Sequence, residues 1–162
     1  ATAVPADTVR FAAGWRMGAA AGRSGVARIR LPVGYRRPDA PDSLEALEND
    51  VALLALTDQI SVKPLRLAPA APGKAGFTAV GYPAHPPRGP TVQHACTVTA
   101  GTAGKPVWRT TCFAVGGASG SPLLRDVQPP TVLGIIVARD PRTAVAVSAA
   151  RIRRLFPGVL DP

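Results

Sequence analysis

Proline and glycine punctuate this chain so often, 18 and 16 times in 162 residues, that long helices are excluded. The apolar stretches between them are short: Asp50–Leu56, Phe77–Tyr82, Thr131–Ala138 and Ala144–Val147. Short apolar runs bounded by turn residues read as strands, so the chain reads as all-β. Weaker strand signals lie at Val9–Phe11, Gly25–Leu31, Thr97–Thr99 and Val107–Thr111. One helix is expected over Ala149–Phe156, with Ser148 as its N-cap and Pro157-Gly158 as its stop. A shorter helical stretch falls at Ser43–Leu47. Apolar residues make up 46% of the chain, which excludes disorder. No apolar run approaches the roughly 20 residues that span a bilayer.

Within this frame the most informative segment is Gly116-Gly117-Ala118-Ser119-Gly120-Ser121-Pro122. Glycines cost chain entropy on folding, so a serine fenced by them needs a reason. A tight backbone that exposes one hydroxyl and aims amides at a ligand supplies it. Acyl transfer requires such a loop: an accessible nucleophilic oxygen, and donors facing the oxygen that becomes negative. The plainer alternative is a Gly/Ser turn between strands.

A second segment, Asn49-Asp50-Val51-Ala52-Leu53-Leu54-Ala55-Leu56, carries an acid into an apolar run. A carboxylate at a core edge is costly unless hydrogen-bonded. In a catalytic triad it accepts from a histidine and fixes the imidazole tautomer. The plainer alternative is an Asp capping an element.

Together the two segments resemble the trypsin-like (chymotrypsin-fold) serine proteases. The Ser119 loop is similar to their nucleophile motif, in the Gly-x-Ser-Gly-Ser-Pro form of the bacterial glutamyl-endopeptidase-like branch. Residues 50–54 are similar to their Asp-Ile-Ala-Leu-Leu segment. The resemblance runs from about residue 45 to the C-terminus and is weak before that. It implies Ser119 as nucleophile, Asp50 as the triad acid, and the amides of Gly117 and Ser119 as the oxyanion hole. It also implies two antiparallel Greek-key β-barrels with a short C-terminal helix. Residues 1–67 would be a partial first barrel, 68–76 the linker, and 77–162 the second barrel and helix.

The triad histidine of that family precedes the acid, yet His85 and His94, the chain's two histidines, both follow it. His85 lies in a proline-rich loop and His94 just before a strand. Both read as surface or strand residues rather than as the base. Three explanations stand: a chain lacking its N-terminal part, a natural pseudoprotease, or a base supplied from elsewhere. The first is favoured, because the strands expected before the histidine are missing with it, and a separate N-terminal piece would then complete the first barrel.

Cys96 and Cys112 flank a predicted hairpin whose turn is Gly101–Gly104. A bridge between them is expected, which implies an oxidising compartment, secreted or periplasmic. The alternative is two buried thiols. Two cysteines and two histidines at these spacings make no metal site, and no cofactor is implied.

Lys and Arg outnumber Asp and Glu by 19 to 10, a net charge of +9. The excess is mostly arginine, a skew typical of GC-rich bacterial genomes. Attraction to an acidic partner is the functional alternative. The arginines are scattered and aromatics are few, so no nucleic-acid partner is expected.

By resemblance, Phe113, Val137, Ala138 and Arg139 border the substrate pocket. Phe113 stands where trypsin-like enzymes have an aspartate, and the strand carries no histidine, so neither basic nor Glu side chains are favoured. Arg139 either meets an acidic side chain or is solvated. The expected function is a serine endopeptidase acting on polypeptides, nearly inactive without its histidine. The alternative is a non-catalytic homologue that binds or scaffolds.

Overall fold

The computed structural model describes residues 4–35, 47–68, 76–82, 89–100, 105–112, 115–139 and 142–160. The fold is mostly β, with antiparallel sheets, one strongly curled half-barrel and a short C-terminal helix. A 3-10 turn at Ala6–Thr8 leads into β1 (Arg10–Ala13), β2 (Gly22–Arg30) and β3 (Leu53–Leu56). These pair antiparallel in the order β1-β2-β3. The expected strand over Asp50–Leu56 is therefore shorter at its start. Residues 50–52 form no strand, because the chain turns there: Asp50 N–H donates to Leu47 O at 3.1 Å and Val51 N–H to Asn49 O at 2.8 Å.

The larger sheet contains β4 (Arg66–Leu67), β5 (Phe77–Gly81), β6 (Thr91–Cys96), β7 (Val98–Ala100), β8 (Val107–Thr110), β9 (Pro122–Arg125), β10 (Thr131–Arg139) and β11 (Ala144–Ser148). Its order is β6-β5-β9-β10-β11-β8-β7, with β4 running parallel beside the start of β10. The first and last strands of that order are consecutive in the chain, with Thr97 alone between them. Cys96 pairs with Phe77 on one side of this corner, and Val98 pairs with Thr110 on the other. The Cys96–Cys112 disulfide, with Cα atoms 5.2 Å apart, clamps the same corner. Thr111 N–H donates to Thr97 O at 3.0 Å, and Thr97 N–H to Thr111 Oγ1 at 2.9 Å. Strand β6 was not among the sequence expectations. The turn expected at Gly101–Gly104 and most of the Ser43–Leu47 stretch lie outside the described residues.

Strand β11 is buried along its whole length, which is why it reads as an unbroken small-apolar run. Ala144 and Ala146 face a core with Trp108, Leu133 and Ile136. Val145 and Val147 face a second core with Leu47, Val107, Ile152 and Phe156. Gly134 is required where β10 crosses β11: a Cβ there would sit 2.5 Å from Val147 O.

The helix, α1 (Ala149–Leu155), starts as expected: Ser148 Oγ accepts from Arg151 N–H at 3.1 Å. Helix spacing alone would leave its three arginines in water, but only one of them is there. Arg154 is exposed, but Arg151 and Arg153 are half-buried and bonded to distant segments.

Candidate functional site

The Ser119 loop needs its glycines at two places. Gly117 has φ +82° and Gly120 φ +91°, the left-handed region where side chains strain. Ala118 is buried beneath the loop as an anchor, and Ser121 is buried after it. Gly120 N–H donates to Ile136 O at 2.8 Å, and Ile136 N–H donates to Ser121 O at 2.9 Å. The loop thus takes over the side of β10 where its pairing with β9 ends, at Ile135↔Pro122. Ser119 itself is exposed, and its hydroxyl donates to Val137 O at 3.1 Å. Among the described residues the N–H groups of Gly117 and Ser119 meet no backbone acceptor.

Val137 is where the β10–β11 register shifts. Such a bulge re-aims side chains. Val137 and Ala138 accordingly both pack on the side of the second core.

Asp50 reaches the same place from the first part of the chain. A cavity of about 380 Å³ is lined by Asp50 and Ser119 together. Val51, Ala52 and Leu54 supply one apolar wall, and Ile135, Ile136 and Val137 another. Asp50 is half-buried, and that burial pushes its carboxyl above the usual aspartate range. Among the described residues nothing donates a hydrogen bond to this carboxylate. An acid and a hydroxyl lining one cavity are two of the three groups of a catalytic triad, which an imidazole completes.

The remaining candidates separate. Val137 lines the cavity, while Ala138 and Arg139 follow it along β10, with Arg139 exposed. Phe113 and His85 lie outside the described residues. His94 is exposed on β6, where its Nδ1 is 3.0 Å from Thr78 Oγ1. Strands β5 and β9 stand between β6 and β10, so His94 does not line the cavity.

Sequence reasoning missed Arg151. Its Nη2 donates to Glu48 Oε1 at 2.8 Å and to Asn49 Oδ1 at 2.7 Å, the two residues before Asp50. No local signal marks this contact, since its partners are 103 and 102 residues away.

The chain matches the trypsin-like peptidase domain family over residues 7–135, most of its length, and belongs to that family. The match starts well before residue 45 and ends inside β10, so β11 and α1 lie beyond it. Membership places the chain among the serine peptidases, whose substrates are polypeptides. No curated protein matches the chain. Among the described residues no helix is long and apolar enough to cross a membrane.

Proposed function

We propose that this chain carries the nucleophile, Ser119, and the triad acid, Asp50, of a secreted or periplasmic serine endopeptidase. One observation carries the reading: Asp50 and Ser119 line one cavity although 69 positions separate them in sequence. In the reaction an imidazole takes the Ser119 Oγ proton as Oγ bonds to the scissile carbonyl carbon. The carbonyl oxygen becomes negative and is held by the Gly117 and Ser119 amides. The imidazolium, stabilised by Asp50, then gives its proton to the leaving amine as the C–N bond breaks. Water repeats the sequence to release the acyl group from Ser119.

The finer parts of the reading rest on resemblance. They are the two-barrel architecture with its boundary near residues 68–76, and the glutamyl-endopeptidase-like branch. The disulfide supports an oxidising compartment. Val137 and Ala138 support a preference for small or apolar side chains.

The cavity's described walls carry an acid and a hydroxyl but no imidazole. That favours a second reading, a non-catalytic homologue that binds polypeptides. A fluorophosphonate probe separates the two. The endopeptidase reading expects weak labelling of the chain, raised by added imidazole and lost in Ser119→Ala. No labelling, with or without imidazole, supports the second reading.

A further inference from the structure

We propose that Arg151 is a positioning residue for Asp50, acting through the two residues that precede it. The proposal rests on the reading of Asp50 as the acid of the site.

Among the described residues nothing bonds to the Asp50 carboxylate, so its backbone is what aims it there. That backbone is held from α1. Arg151 Nη2 bridges Glu48 Oε1 and Asn49 Oδ1 at 2.8 and 2.7 Å, and its Nε reaches Glu48 O at 3.5 Å. The side chains of Arg151 and Glu48 are 23% and 22% exposed, so water competes little for this contact. One residue earlier, Leu47 is buried with Ile152 and Phe156. Asp50 N–H then closes onto Leu47 O.

Arg151 is itself fixed. Its N–H is the one capped by Ser148, and Ser148 pairs with Gly134 on β10. Two residues along β10, Ile136 holds the Ser119 loop. A continuous hydrogen-bonded path therefore runs from the nucleophile loop through β10, β11 and α1 to the residues before the acid. Arg153 secures the far end of the acid-bearing segment, donating to Leu67 O and to Ala68 O at 2.9 Å. The guanidinium presents its donors in one rigid plane, whereas an ammonium group carries three on a flexible stem, so lysine holds these acceptors less firmly.

The test uses the full chain as wild type, Arg151→Ala, Arg151→Lys and Glu48→Gln. Amide hydrogen exchange is read residue by residue, together with the Asp50 carboxyl carbon resonance. Arg151→Ala is expected to speed exchange at Asp50 and Val51 by roughly tenfold or more. It should shift the Asp50 resonance and leave β10 and β11 protected. Arg151→Lys and Glu48→Gln should fall between Arg151→Ala and wild type. Unchanged exchange at Asp50 and Val51 overturns the proposal. So does acceleration in step with the whole sheet, which marks a purely structural role. If Arg151→Ala does not fold, the two milder variants decide by the same readouts. A parallel fluorophosphonate measurement with imidazole tests the catalytic reading separately. If wild type stays unlabelled that reading fails, while the exchange data still decide whether Arg151 holds the segment.

Discussion

Ser119 gives its hydroxyl hydrogen to the Val137 carbonyl, 18 residues later, at the bulge in β10. That bond parks the oxygen at the cavity wall, and attack on a carbonyl requires the hydroxyl to turn to a base instead. Being exposed, it contributes little to folding. Ser119→Ala should abolish probe labelling and change unfolding free energy by no more than about 1 kcal/mol. Labelling and urea denaturation on the same samples check both; a loss of several kcal/mol would make the serine structural.

Asp50 sets a pH dependence. Burial raises its folded-state pKa above the unfolded value, so the folded chain holds the proton more tightly. The stability this confers is fully present below the unfolded pKa and lost as pH rises through the folded one. Asp50→Asn removes that dependence. The variant should gain on wild type in urea midpoint between acid and neutral pH, and a constant gap would contradict the burial effect.

The Cys96–Cys112 bridge closes a loop with a sequence separation of 16. Constraining the unfolded chain over such a loop contributes about 3 kcal/mol. Replacing both cysteines by serine, or adding a thiol reductant, should lower the urea midpoint accordingly. A change under about 0.5 kcal/mol would show that the β6–β7 corner holds without its clamp.

Gly134→Ala should destabilise by about 1–3 kcal/mol or more, because the added methyl has no room. Val147 O stands 2.5 Å from its position, and Trp108 closes the other side at 3.4 Å. Both neighbours belong to packed strands. Thermal unfolding of the variant measures the loss; a neutral result would mean that β10 and β11 separate more easily than their pairing indicates.

Much of this was legible because it is local. Ser148 capping α1 and the glycines flanking Ser119 are read from neighbours a few residues apart. So are the apolar strands β5, β10 and β11. The Asp50–Ser119 meeting needed the family resemblance, since no residue pattern encodes a contact across that distance. Strand β6 was missed because it is mostly exposed, with the pattern of an edge rather than of a core. Arg151 and Arg153 were missed for a different reason. On helix spacing they look solvated, and only the folded chain brings Glu48, Asn49, Leu67 and Ala68 to them.

Strand β6 passes directly into β7 at the corner beside Cys96. The two outermost strands of the larger sheet therefore meet at one disulfide-clamped corner, where they could otherwise part and offer their amides to a neighbouring polypeptide. Reductive opening of that corner should accordingly promote self-association as well as softening the fold.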